Sequence, residues 1–356
     1  MERIRVTFYE VLIMITKRLK IMLIAALAIS FQVSAIYGQR IIPGFDPPPF
    51  ERVGQSGFQF LHLPTNARSA ALANVSGLLN NDASAAFSNP ATLVDIPNID
   101  VSLSSLDYVA DITYMTAAIA KNFGNWGVVG LHLASLDAGT MYRTENVEDA
   151  DGLITSRSGD LGTFEAGDLL VGLSYARKIT DKLSIGANFG QIHETLDSTD
   201  VKNINMDFGL YFDTGFRTLK ISMVARNFGQ DAEFTGFTEV YGLPQSVRMP
   251  LDFRLGISYD IIEATDGSQH HLTSYLEGSH PNDSRERVHV AAEYTLMSTF
   301  SLRGGYKLNY DEQSYTFGGG INFAMRNLAG RIDYAYIDYG LLKTVHLFTV
   351  GFRFGT

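Results

Sequence analysis

From about residue 99 to the end of the chain, apolar and polar side chains alternate with period two in segments of about ten residues. Leu251, Phe253, Leu255, Ile257 and Tyr259 alternate with Asp252, Arg254, Gly256, Ser258 and Asp260. Phe348, Val350, Phe352 and Phe354 alternate with Leu347, Thr349, Gly351 and Arg353. Successive strand residues point to opposite faces, so each segment has one apolar and one polar side. About fourteen such segments lie near 99–106, 112–121, 126–135, 168–178, 182–194, 203–213, 217–227, 249–260, 268–278, 286–296, 299–309, 314–324, 330–339 and 344–354. A tilted strand crosses a bilayer in roughly 9–11 residues, which is this length. Strands of a soluble sandwich or propeller run nearer 5–6 residues. Glycine and aromatic residues are frequent (Gly 33, Phe 23, Tyr 17). The pattern predicts an all-β fold: a closed antiparallel transmembrane barrel of about fourteen strands, which leaves no unpaired edge in lipid.

The faces assign the lumen. Arg254 or Arg303 turned toward lipid would cost roughly 2–4 kcal/mol near the midplane, so both belong inside. With them go Asp252, Glu293, Lys307 and Asp333, which fit a salt-bridged network filling the barrel.

The chain before residue 99 is different. Lys17, Arg18 and Lys20 precede the apolar run Ile21–Phe31 and the small-residue site Val33-Ser34-Ala35, the order of a secretory signal. Residues 1–35 are therefore read as a signal peptide, with Met14 an alternative start. Residues 36–98 are read as a proline-rich lead and plug, and 99–356 as the barrel. Within 57–93 the chain is rich in Ala, Ser, Asn and Leu. Thr65 or Asn66 is placed to cap a helix over Ala67–Ala73, and Asp82 one over Ala83–Ser88, which Asn89-Pro90 stops. Short helices with small-residue faces pack closely against a curved wall, so this stretch is expected to be a plug. Short turns follow the even-numbered segments, and the longest connections, 136–167 and 228–248, follow the third and seventh. Barrels of this kind keep short turns in the periplasm, which puts both barrel ends and the plug's entry there.

Several chemistries are excluded or unsupported. The cysteine count is 0, so there is no disulfide framework or thiolate site, and the net charge of −10 argues against nucleic acid. No G-x-S-x-G, H-E-x-x-H or phosphate-binding loop occurs, no cofactor is implied, and an enzyme is not expected. His270-His271 are strand neighbours that point apart and do not chelate one metal ion. The acidic stretch 137–168 lacks the spacing of a calcium loop.

Phe60-Leu61-His62-Leu63-Pro64, then Ala67-Arg68, Asp82 and Asn89-Pro90-Ala91, resemble the N-terminal motif of the PorV/PorQ family, whose barrels are related to FadL-type transporters. The match covers less than a tenth of the chain, with Ala73-Asn74 where the family commonly has Gly-Gly. The resemblance implies a component of type IX protein secretion or cell-surface attachment in the outer membrane of a Gram-negative bacterium. Its partners would be membrane lipids and secretion-system or exported proteins, held by external loops. The aromatic loop carrying Phe234, Phe237, Tyr241 and Leu243 is the candidate contact. The alternative is a FadL-like channel for a hydrophobic ligand, with Phe58, Phe60, Leu61, Leu63, Leu78 and Leu79 lining a pocket between plug and wall.

Overall fold

The computed structural model describes residues 54, 56–79, 82–148, 154–233, 246–263, 269–325 and 327–355. The expected signal peptide, most of the proline-rich lead, and Phe234, Phe237, Tyr241 and Leu243 lie outside them.

Fourteen strands close into one antiparallel barrel. They are β1 Ile99–Asp107, β2 Thr113–Asn122, β3 Val128–Glu148, β4 Ile154–Lys178, β5 Leu183–Leu196, β6 Thr199–Asp213 and β7 Lys220–Phe228. The rest are β8 Asp252–Ile262, β9 His270–Pro281, β10 Arg287–Leu296, β11 Phe300–Leu308, β12 Tyr315–Met325, β13 Leu328–Asp338 and β14 Thr344–Phe354. Each pairs with its neighbours in sequence, and β14 returns to β1 from Ile99↔Phe354 to Asp107↔His346. Closure satisfies the backbone groups that lipid could not.

Alternation becomes two surfaces. On β8, Phe253 and Leu255 are 47% and 52% exposed, while Asp252 and Arg254 are 1% and 6% exposed. Leu131, Phe189, Phe208, Leu302 and Phe348 continue the apolar exterior. Among the described residues no helix is long and apolar enough to cross a membrane; the strands do so. The protein is a membrane-spanning β-barrel.

β3 and β4 extend well past the predicted segments, and Thr140–Tyr142 pairs with Thr163–Glu165 beyond a register shift. This stretch lacks the apolar alternation used to find strands, because hairpin beyond the bilayer has no lipid face to cover.

The plug lies within the wall. It comprises a 3-10 turn Gln59–His62, one helix, α1, over Ala67–Ala71, and 3-10 turns Ala83–Phe87 and Pro90–Asp95. Asn66 caps α1 by accepting from the Ser69 amide at 2.8 Å. α1 ends before its predicted limit, since Ala73 and Asn74 take φ of 56° and 63° and turn the chain. Asp82 caps a 3-10 turn rather than a helix, accepting from the Ser84 amide at 2.9 Å. Pro90 stops that turn and opens the next, where its missing N–H costs nothing. The plug joins the wall at the short-turn end, where Asn122 donates to the Ile96 carbonyl at 2.7 Å. Its described start lies at the other end: the Gly57 amide donates to the Arg248 carbonyl at 3.0 Å, in the connection after β7. The plug therefore runs the length of the lumen.

Candidate functional site

Small plug residues meet glycines of the wall. A Cβ on Gly209 of β6 would lie 1.9 Å from Asn89 Oδ1, and one on Gly186 of β5 would lie 2.3 Å from the Ala91 nitrogen. Those two glycines are register partners, so Asn89-Pro90-Ala91 rests on bare backbone. Opposite, a Cβ on Gly318 of β12 would meet the Ala71 Cβ at 2.4 Å, and one on Gly305 of β11 the Ala73 nitrogen at 2.6 Å. Only glycine permits this approach.

Wall side chains then satisfy backbone groups that such short helical turns leave open. Thr349 accepts from the Ala67 amide at 2.8 Å, and Thr316 accepts from the Ala73 amide at 2.9 Å while donating to the Ala71 carbonyl at 3.0 Å. Asn188 donates to the Ala86 carbonyl at 2.6 Å, and Asp100 accepts from the Ala83 amide at 2.8 Å. Glu277 accepts from the Gly77 amide at 2.9 Å.

Charged side chains lock the same contact. Arg68 of α1 donates to Glu293 at 2.7 Å, Arg303 donates to Glu293 at 2.7 Å, and Arg303 reaches Asp333 at 2.5 Å. Arg254 joins Asp252 at 2.6 Å and Glu277 at 3.2 Å, and donates to the Asn74 carbonyl at 3.1 Å. Arg331 and Arg353 converge on Asp100 at 3.1 and 3.2 Å, with Asp82 of the plug 3.7 Å from Arg331. Lys307 donates to Gln313 at 2.5 Å.

At the end opposite the short turns, here termed the outer end, Ser56 and Gln59 donate to Asp283, between β9 and β10, and His62 Nε2 stands 3.6 Å away. Burial pushes the Asp283 carboxyl up, but His62, Ser56 and Gln59 together outweigh it and hold it well below the usual carboxylate range.

Two lumen cavities differ in character. The outer one, about 440 Å³, lies between the start of the plug and β3–β5, against Phe58, Phe60, Leu63, Leu136 and Leu196. The inner one, about 610 Å³, opens among Arg68, Asp82, Glu293, Arg303, Arg331 and Asp333. Leu78 faces the inner cavity, and Leu79 is buried in the plug core. On the lipid side an apolar groove of about 990 Å³ crosses β5–β10, over Phe208, Met223, Ala225, Phe253, Leu255 and Gly278.

The structure thus brings Asp252 and Arg254 into one cluster, and Arg68, Glu293, Arg303 and Asp333 into another, with Lys307 apart. Pro64 is buried just before α1, and Leu61 packs in the main core. Sequence reasoning passed over Asp100, Glu277, Asn188, Thr316 and Thr349. Each is an inward polar position on an alternating strand, which is the signal that would have found them.

No protein-family model and no curated protein matches the chain. Solved structures do. The toluene transporter TbuX of Ralstonia pickettii aligns at 14% identity over 81% of this chain and 98% of its own, with a TM-score of 0.55. The toluene transporter TodX of Pseudomonas putida gives 11% identity, 82% and 97% coverage and 0.53. The CymD monoaromatic hydrocarbon channel gives 13%, 82% and 97%, and 0.52. The chain shares the fold of these solved outer-membrane proteins, a closed antiparallel barrel of fourteen strands here. These matches correct the expectation of a type IX secretion component. The N-terminal motif on which it rested is backed by no family-model match, and the solved structures that share the fold are described as hydrocarbon transporters and channels.

Proposed function

We propose that this chain is a channel for hydrophobic small molecules. The observation that carries the reading is the outer cavity, where Phe58, Phe60 and Leu63 of the plug face Leu136 and Leu196 of the wall. Apolar area leaving water there gains roughly 25 cal/mol per Å². The described similarity to proteins named as toluene transporters supports the same reading. The plug must shift for passage. The inner cavity is lined by ion pairs and poorly suited to an apolar solute, so release goes sideways through the wall into lipid, toward the side that carries the apolar groove. The test is binding of the uncharged fluorophore N-phenyl-1-naphthylamine to the purified barrel. Phe58→Ser with Phe60→Ser should weaken binding about tenfold or more, the loss of roughly 1.4 kcal/mol. Unchanged binding would remove the cavity from the pathway.

A further inference from the structure

The outer cavity carries charge of one sign. Among its described lining residues are two carboxylic acids, Asp168 on β4 and Glu194 on β5, and no lysine, arginine or histidine. The two acids face each other as register partners across the β4–β5 ladder. The Asp168 carboxyl is hydrogen-bonded to Glu194, and its other oxygen is buried with no partner among the described residues. Glu194 takes the backbone N–H of Phe58, the plug residue that also lines the cavity. The buried Arg226 donates to the Leu61 carbonyl at 3.4 Å and is not part of the lining. His62 is turned to Asp283 instead.

We infer that the outer cavity sorts hydrophobic molecules by charge, with Asp168 and Glu194 favouring ligands that end in a protonated amine, admitting uncharged ones and turning away carboxylates. The inference rests on the channel reading and names its substrate class. An ammonium group brought to the Asp168–Glu194 pair donates charge-assisted hydrogen bonds, about twice as strong as neutral ones. A carboxylate would meet the negative charge of this pair with no basic side chain among the described lining residues to offset it, in a site partly shielded from water where like charges repel more strongly than in solvent. The apolar walls are indifferent to this distinction, because Phe58, Phe60, Leu63, Leu136 and Leu196 serve an alkyl or aryl body whatever its end group.

The experiment is competition against N-phenyl-1-naphthylamine on the purified full chain in a neutral detergent, at pH 7 and fixed ionic strength. Decylamine, decanol and decanoate share one chain length. Decylamine should bind at least tenfold more tightly than decanoate to the unmodified protein. In Asp168→Asn combined with Glu194→Gln, that ratio should fall to within about twofold. Asp168→Asn alone, which leaves the Glu194 bond to Phe58, should narrow it about threefold. Decanoate binding as tightly as decylamine in the unmodified protein, or a ratio that survives in the double variant, would overturn the inference while the channel reading stood. Failure of the fluorophore and of decanol to bind the unmodified protein would overturn the channel reading, and the inference with it.

Discussion

At the outer end of the lumen the plug offers Phe58, Phe60 and Leu63 to a cavity whose charged groups, among the described residues, are one pair of acids. At the inner end it offers Arg68 and Asp82, and the wall answers with Glu293, Arg303, Arg331 and Asp333. The same short segment, 58–95, thus makes an apolar contact at one end and an ionic one at the other. In the proposed channel, this difference lets the outer end hold an apolar molecule while the inner end stays shut. A hydrophobic solute gains from entering the outer end, while parting buried ion pairs at the inner end is costly. Asn89–Ala91 and Ala71–Ala73 also sit on wall glycines, so the plug is seated by shape as well as by charge.

The largest effect should come from breaking the inner end. Arg303→Ala leaves Glu293 and Asp333 buried without their shared cation, and loss of one partner from such a cluster costs about 3–5 kcal/mol. Urea unfolding of the barrel in detergent should report a lower midpoint. An unchanged midpoint would show that the cluster is open to water and that the two ends are less different than drawn.

A smaller effect should follow from disturbing this seat. Gly209→Ala puts a methyl group into Asn89, and overpacking of this kind costs typically 1–3 kcal/mol. In planar bilayers the variant should show more frequent or larger conductance steps than the unmodified protein, because the plug is lifted from β5 and β6. Identical traces would mean that Asn89–Ala91 does not hold the lumen closed.

Strand positions were readable because lipid on one side and a filled lumen on the other force strict alternation: β1, β2 and β14 fall within a residue or so of the predicted segments. The extension of β3 and β4 was hidden, since nothing apolar marks a hairpin in solvent. In the plug, caps at Asn66 and Asp82 were legible as local chemistry, whereas Asn89, read only as a stop before Pro90, also caps the turn that follows. The wall glycines Gly186, Gly209, Gly305 and Gly318 read in sequence as general barrel texture, because which residue each one faces depends on a partner roughly a hundred or more positions away. Asp168 shows the same limit. In sequence it closes an acidic run, whereas folded it stands opposite Glu194 in a cavity formed with residues more than a hundred positions earlier. The opposite ends of the plug were not legible either, since only the pairing of Ser56 with Arg248 and Asp283 reveals where its described part begins.

The measurement that bears most directly on the outer cavity's purpose is uptake of a radiolabelled, uncharged alkylbenzene by intact cells. Cells lacking the chain would be compared with the same cells carrying either the unmodified protein or Phe58→Ser with Phe60→Ser, at equal barrel levels in the outer membrane. The unmodified protein should raise the initial uptake rate several-fold at low external concentration, and the double variant should return it close to the rate of cells without the chain. Equal rates with and without the unmodified protein would contradict the account, whatever the stability and conductance experiments show.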